Sequence, residues 1–341
     1  MQYRAEIDGL RALAVLPVIL FHAGFEWFSG GFIGVDVFFV ISGYLITTII
    51  ISEIAEGKFS IVTFYERRAR RILPALFFVM LICIPFAWMW MLPDALENFG
   101  QSLVSTSLFS NNFLLMNTSG YWDLASEYKP LMHTWSLAVE EQYYIIFPIF
   151  LMFAWRFGKN KIIWSILFIS LISFTLSEYG WRQNSITNFY YSPSRAWELL
   201  AGSIAAFFSY QKGVKNNNTL AFLGLMTILY SIFTFDEEMP FPSAFTLAPV
   251  LGSLLIILYA DNKTFTAKIL STKILVGVGL ISYSLYLWHQ PIFAFARIYK
   301  QDQITDFYSY IFLFLTIFLA FLTWKYIETP FKNRTYFSSF K

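Results

Sequence analysis

Long apolar runs alternate with short polar segments along this chain. Ten runs approach the roughly 20 residues that an α-helix needs to cross the hydrocarbon core of a bilayer. They lie near 10–27, 33–52, 73–92, 137–155, 161–178, 195–210, 219–235, 244–260, 274–297 and 307–327. An eleventh run, 97–117, contains too many hydroxyl and amide side chains for a lipid-facing helix. The pattern predicts an all-α, polytopic membrane helical bundle of about ten transmembrane helices.

The composition supports a membrane protein and excludes several other classes. Apolar residues make up 57% of the chain, charged residues 13%, and the mean hydropathy is +0.55. Soluble domains carry about a quarter charged residues. A formal net charge of +2 gives no global positive field for nucleic acid. The single cysteine, Cys83, excludes an intrachain disulfide and a CxxC metal site.

Lysine and arginine positions predict the orientation in the membrane. With ten helices and a cytoplasmic N-terminus, 19 of the 24 basic residues fall on the cytoplasmic side. Counting 97–117 as a further helix would divide them evenly, so we predict cytoplasmic termini and a long external segment at 93–136, where re-entry into the bilayer stays open. We expect one integral-membrane domain over 1–335 and a short cytoplasmic tail at 336–341.

Ionisable side chains inside membrane helices are costly and mark functional sites. Arg11 and His22 are eleven residues apart, which places both on one helix face, about 16 Å apart along the axis. The other candidates are predicted in the outer half of the bilayer and indicate a polar cavity open to the exterior: Asp36, Glu140, Glu141, Arg195, Glu198 and His289.

Four arginines lie close together on the predicted cytoplasmic side, between the second and third helices: Arg67, Arg68, Arg70 and Arg71. Their i, i+3 and i, i+4 spacing lets several converge on one ligand. Guanidinium groups bind phosphates bidentately, which indicates a site for a phosphorylated cytoplasmic ligand. An ordinary lipid-headgroup anchor is the alternative interpretation.

Structural interpretations of the other candidates also stay open. The alternative interpretation of His22 is a histidine hydrogen-bonded between helices, which is the more common situation for a lone histidine. Glu140 or Glu198 could pair with Arg195 in a buried ion pair, and His289 could belong to an aromatic belt at the membrane surface. The combination of a basic inner site, a histidine at mid-depth and an acidic outer cavity favours a functional assignment.

Several blocks of the sequence, in this order along the chain, resemble the membrane-bound acyltransferase-3 family, which O-acylates bacterial surface polysaccharides, lipopolysaccharide and related sugars. The blocks are 6–12 with the pair Arg11 and His22, 34–45, 67–74, 133–143, 282–291 and 328–331. The resemblance implies a multi-pass protein of the bacterial cytoplasmic (inner) membrane. It also implies an acyl donor, usually acetyl-coenzyme A, used from the cytoplasm, and an acceptor hydroxyl on an external glycan or lipid-linked sugar, such as O-antigen, capsule or exopolysaccharide.

The family's essential arginine and histidine fall on Arg11 and His22, its loop arginines on Arg68 and Arg71, and its conserved acidic block on Glu140. Longer members append an extracytoplasmic SGNH-type domain. The expectation here is the stand-alone form, which either completes the transfer itself or passes the acyl group to a separate periplasmic partner.

Acyl transfer from a thioester needs a held donor, a deprotonated hydroxyl and a stabilised oxyanion, but no metal and no permanently bound cofactor. We expect acyl-coenzyme A as co-substrate, with its phosphates on Arg11 and the arginine cluster. His22 is the predicted general base or acyl carrier, and Asp36 or Glu140 would orient its ring. The predicted sugar-binding residues are His133, Glu141, Arg195, Glu198 and His289.

Two other classes of function stay open at this point. A transporter or flippase for polyprenyl-linked sugars would use the outer carboxylates as proton sites, although the inverted repeat typical of transporters is not visible in the sequence. A non-catalytic scaffold of an envelope assembly is the third interpretation. Binding or slow hydrolysis of acetyl-coenzyme A separates the enzyme from both.

Overall fold

The computed structural model describes residues 3–119, 125–300 and 306–333, and these are almost entirely helical, with no β-strand among them. The predicted tail at 336–341 lies outside the described residues. The helices are α1 Ala5–His22, α2 Gly34–Ala55, α3 Ile61–Trp90, α4 Pro93–Ser107, α5 Asn111–Asn117, α6 Thr134–Ala154, α7 Lys159–Gln183, α8 Ser185–Tyr190, α9 Ser192–Lys212, α10 Asn218–Thr234, α11 Leu247–Tyr259, α12 Phe265–Leu270, α13 Lys273–Leu280, α14 Ser282–Lys300, α15 Asp306–Thr323 and α16 Thr329–Lys332.

Five helical segments of the described chain are long and apolar enough to cross a membrane: Gly31–Ala55, Ile61–Trp90, Thr134–Phe157, Lys159–Gln183 and Phe307–Lys332. Two further apolar helices, Asn218–Thr234 and Ala244–Tyr259, are shorter. The predicted all-α, polytopic membrane fold is therefore confirmed. The cytoplasmic location of the termini stays a prediction.

Helix ends differ from the sequence prediction at two places that matter for the site. The first helix ends at His22, not near residue 27, and Gly24 follows with a φ of +86°, a conformation that glycine adopts without strain. The arginine cluster lies within the first turns of α3, not between two helices, because Ser60 caps that helix by accepting a hydrogen bond from the Thr63 amide.

Two predicted apolar runs are each divided into two helices. The run at 274–297 becomes α13 and α14, with a turn at Ile281. The run at 97–117 becomes α4 and α5, which are separated at 108–110, where Phe109 has a φ of +52°. A positive φ at a bulky residue interrupts helical hydrogen bonding, so this segment is not one continuous membrane helix.

The chain forms two compact units, of which unit 1 contains Met1–Phe21, Phe25–Phe59 and Val139–Leu280. Helices α2 and α9 pack closely because glycines let their backbones approach. A Cβ on Gly43 would lie 1.8 Å from the carbonyl oxygen of Leu199, and one on Gly202 would lie 2.0 Å from that of Val40. Small residues at such crossings are typical of membrane helices. A hydrogen bond of 2.8 Å between Thr47 and Ser203 adds a polar contact.

Unit 2 contains His22–Gly24, Ser60–Ala138 and Ile281–Lys341. Its helix α14 is held to its neighbours by side-chain hydrogen bonds. The Tyr283 hydroxyl donates to the Ile72 carbonyl of α3 (2.9 Å), and the Trp288 indole donates to the Thr323 hydroxyl of α15 (2.8 Å). These contacts fix the rotation of α14 about its axis and therefore decide which side chains of α14 face the interior of unit 2.

Candidate active site

All three histidines of the sequence come together in unit 2. The ring centroid of His289 lies 5.1 Å from that of His22 and 5.2 Å from that of His133. His22 is the last residue of α1, His133 immediately precedes α6, and His289 lies in α14. Three segments that are far apart in sequence thus supply one imidazole cluster.

Helix α14 has two faces, and the histidine cluster lies on one of them. Tyr286, His289, Phe293 and Arg297 follow one another at helical spacing and share a face. The opposite face, which includes Trp288 and other apolar residues, lines an apolar cavity of about 620 Å³ between α3, α14 and α15, and none of the described residues that line it is charged. The histidine and the arginine of α14 therefore lie on the face opposite the apolar cavity.

Hydrogen bonding decides which nitrogen of His289 carries a proton. Its Nδ1 lies 2.6 Å from the backbone carbonyl of Tyr286. A carbonyl oxygen can only accept, so Nδ1 is the donor and the neutral ring keeps its lone pair on Nε2. That Nε2 is buried and has no hydrogen-bond partner among the described residues.

Two residues next to His289 also have buried polar atoms without a hydrogen-bond partner among the described residues. Within the described ranges, neither ring nitrogen of His133 has a hydrogen-bond partner, although the residue is 2% exposed. The Oε1 of the fully buried Gln290 has none there either. Buried polar atoms without partners are rare in folded proteins and mark places where a ligand or water bonds. The cluster is thus equipped to bind a molecule that carries hydroxyl groups.

The segment before α6 is tied to α14 by direct hydrogen bonds. The Tyr286 hydroxyl donates to the His133 carbonyl (2.9 Å) and lies 2.7 Å from the Ser136 hydroxyl. The Gln290 amide donates to the Lys129 carbonyl (3.2 Å). These bonds place the His133 backbone relative to His289 without using either His133 ring nitrogen.

Arg297 holds the end of α1 from the same face of α14. Its Nη2 donates to the backbone carbonyl of His22 at 2.6 Å. Carbonyls at a helix C-terminus lack partners within the helix and carry partial negative charge, so a guanidinium is a favourable partner there.

A second group of predicted site residues comes together in unit 1. Arg195 pairs with Asp36 (2.8 Å) and Glu198 (3.2 Å), and all three side chains are at most 1% exposed. Three phenylalanine rings surround the guanidinium, at centroid distances of 5.4 to 5.7 Å: Phe39, Phe189 and Phe241. Cation–π contacts with these rings partly replace the water that the guanidinium loses on burial.

The remaining acidic candidates lie on α6. Glu140 accepts hydrogen bonds from Ser42 (2.9 Å) and Tyr144 (3.2 Å). Glu141 is buried, at 8% exposure.

The predicted phosphate-binding residues keep partly accessible side chains. In unit 2, Arg67 is exposed and Arg68, Arg70 and Arg71 are half-buried. Glu66 pairs with Arg70 at 2.9 Å, and the Arg68 guanidinium lies 5.9 Å from the Phe64 ring centroid. In unit 1, Arg11 is half-buried and lies 3.5 Å from Asp8.

Comparison with known proteins decides the family. A family profile described as an acyltransferase domain matches residues 4–327. The chain belongs to the acyltransferase-3 family. It is 33% identical to the O-acetyltransferase OatA of Staphylococcus aureus strain NCTC 8325, over 98% of this chain and 58% of that protein. It is 34% identical, with the same coverage, to a putative O-acetyltransferase of strain MSSA476. The chain thus spans little more than half the length of these relatives. No solved structure matches it.

Three residues of this acyltransferase-3 chain belong to the site but were not among those predicted from sequence: Tyr286, Gln290 and Arg297. The sequence contained a signal for them, namely their closeness to the candidate His289. They lie three residues before it, one after it and eight after it on the same helix.

Among the described residues, no group of three or more His, Cys, Asp or Glu side chains could hold a metal ion.

Proposed function

We propose that this chain is a transmembrane O-acyltransferase of the bacterial cytoplasmic membrane. It moves an acetyl group from cytoplasmic acetyl-coenzyme A to a hydroxyl of an extracytoplasmic surface sugar. Family membership supports acyl transfer, and the names of the staphylococcal relatives support an O-acetyl product. The single observation that carries the proposal is the contact of His22 with the buried His289, which also contacts the buried His133. Both His133 ring nitrogens and the His289 Nε2 have no hydrogen-bond partner among the described residues.

We assign His22 to the reacting centre, and its position at the end of α1 in contact with His289 supports that assignment. As general base it would take the proton of the attacking hydroxyl, and as acyl carrier it would attack the thioester first. His133 offers ring nitrogens that hydroxyl groups of the acceptor can bond. The carboxylates of Glu141 and Glu198 are additional candidates for sugar hydroxyls, and Asp36 or Glu140 for orienting the imidazole.

The donor is assigned to the arginines on chemical grounds. The nucleotide end of coenzyme A carries phosphates, and Arg67–Arg71 with Arg11 supply guanidinium groups that match them. The slender pantetheine arm would then extend along α1, where Arg11 and His22 are about 16 Å apart along the helix axis. The thioester would thereby reach the level of His22 while the phosphates stay at the cytoplasmic end.

The test uses purified full-length chain in detergent or nanodiscs and follows release of coenzyme A from acetyl-coenzyme A. His22→Ala is expected to lower the rate at least 100-fold, because general-base catalysis contributes about 10²–10⁴. Glu237→Gln, a change in the exposed turn after α10, is the matched control and is expected to leave the rate unchanged.

Normal turnover in a folded His22→Ala protein would remove His22 from the chemistry. Movement of a lipid-linked sugar across vesicles without any consumption of acyl donor would instead support a transporter.

A further inference from the structure

The tautomer and position of His289 give it a role beyond sugar binding. Its Nδ1–H is committed to the Tyr286 carbonyl at 2.6 Å, so the neutral ring presents a lone pair at Nε2. Burying a hydrogen-bond acceptor without a partner is unfavourable, because the acceptor loses its bonds to water. The Nε2 of His289 is such an acceptor, since it is buried without a partner among the described residues and lies beside two further histidines.

The neighbouring atoms show what kind of molecule Nε2 meets. The His133 ring lies 5.2 Å from the His289 ring between centroids, and its two nitrogens are also buried and, among the described residues, without hydrogen-bond partners. Gln290, the next residue of α14, has an Oε1 in the same situation. A hydroxyl group both donates and accepts, so a polyol or a water molecule satisfies this set whereas an apolar chain does not. A hydroxyl held by these atoms lies beside His22, because the His22 and His289 ring centroids are 5.1 Å apart.

We infer that His289 is a catalytic residue, which receives at Nε2 the proton of the hydroxyl that attacks the acyl group, while His22 carries that group. The inference rests on the proposed function. It divides the work between two adjacent imidazoles, of which the ring of His289 is fixed in orientation by its bond to Tyr286.

The reaction has two steps, acylation of His22 and transfer of the acyl group to the hydroxyl. First, a ring nitrogen of His22 forms a bond to the carbonyl carbon of the acyl thioester, and the C–S bond breaks to release coenzyme A as a thiolate. Second, the hydroxyl oxygen forms a bond to the same carbon, the His22 N–C bond breaks with its electron pair returning to His22, and the hydroxyl proton moves to Nε2 of His289. The protonated His289 then returns its proton to water.

The test uses water as the acceptor of the acyl group, so the natural sugar acceptor does not need to be known. His289→Gln keeps an amide near the Nε2 position that can hydrogen-bond but cannot take a proton. His289→Asn keeps an amide near Nδ1 that can still bond the Tyr286 carbonyl and leaves the Nε2 position empty. Each protein is mixed with labelled acetyl-coenzyme A, and both coenzyme A release and label retained on the chain are measured after rapid quenching.

The expected result separates the two steps. In both variants one coenzyme A per chain is released at the wild-type rate, label accumulates on the protein, and later turnover falls by about 10²–10⁴. His22→Asn releases none and retains no label. A purely structural role of His289 would lower both steps together, so this split is diagnostic.

Other outcomes overturn the assignment. Wild-type turnover in His289→Gln would show that no proton needs to be taken at this position. Loss of the first release in both variants would show that the role of His289 is not confined to the acceptor step. If the wild-type protein itself cleaves no acetyl-coenzyme A, the proposed function fails and this assignment fails with it. If the wild-type protein cleaves acetyl-coenzyme A but the His289 variants do not show a normal first release followed by slow turnover, only the division of roles between His22 and His289 is contradicted.

Discussion

The guanidinium of Arg297 donates a hydrogen bond to the backbone carbonyl of His22 at 2.6 Å, and so joins α14 to the last residue of α1. The same helix carries His289, whose ring contacts that of His22. One helix therefore sets both the backbone position of His22 and the ring next to it. Arg297 is a positioning residue, since the contact described for it at His22 is to the backbone and not to the imidazole.

We predict that Arg297→Gln lowers kcat for acyl transfer by about tenfold or more, because small displacements of a reacting group are costly. The KM for the acyl donor is expected to change little, and Arg297→Lys is expected to recover part of the rate. Steady-state kinetics on purified protein provide the measurement, with Lys300→Gln as a control at the end of the same helix. Equal kcat values for wild type and Arg297→Gln would show that this bond does not position His22.

The buried group of Arg195, Asp36 and Glu198 predicts a large loss of stability on Arg195→Met. Without the guanidinium, two buried carboxylates lack their counter-charge, and breaking such a pair costs about 3–5 kcal/mol. Unfolding of the purified protein in detergent, followed by heat or denaturant, measures the change. The triple variant Arg195→Met with Asp36→Asn and Glu198→Gln is expected to recover much of the loss.

The matched control for Arg195→Met is Arg182→Gln. Arg182 pairs with Glu178 at 2.6 Å, but its side chain is 49% exposed, and exposed pairs contribute about 1 kcal/mol or less. Similar losses for both arginine variants would contradict the role assigned to burial.

Close packing between α2 and α9 predicts that Gly43→Ala destabilises unit 1. The new Cβ would lie 1.8 Å from the Leu199 carbonyl oxygen, so the two helix backbones must separate, and overpacking of this kind costs about 1–3 kcal/mol. Gly277→Ala in α13 is the control, because nothing lies within 4 Å of its added Cβ. Thermal unfolding of both variants in one detergent compares them, and a stable Gly43→Ala protein would argue against this helix contact.

The arginine cluster predicts a specific defect in donor binding. Arg68→Ala with Arg71→Ala is expected to raise the KM for acetyl-coenzyme A about tenfold or more, because charged hydrogen bonds contribute roughly 1.5–3 kcal/mol each. The control pair is Arg156→Ala with Lys159→Ala, which removes the same charge from another predicted cytoplasmic segment, where the cations lie over Phe157 and Tyr210. An equal rise in both double variants would indicate a general positive surface and no specific phosphate site.

Much of the architecture follows from local pattern. Hydrophobicity and length are properties of contiguous residues, so the apolar runs locate the helices, and the low charge content indicates the membrane. Helix ends were less predictable. Whether α1 stops at His22 depends on Gly24 and on a distant donor, Arg297, and only the first of these lies near the helix in sequence.

By itself, then, the sequence determined the helical membrane fold, the family blocks and the individual histidines, arginines and carboxylates as candidates. Tertiary structure alone decided that His22, His133 and His289 form one cluster, and that Asp36 joins the pair of Arg195 and Glu198, which helical spacing had already made a candidate ion pair. The physical reason is that helical periodicity specifies which face a residue occupies, whereas the partner of that face depends on packing between segments more than 100 residues apart.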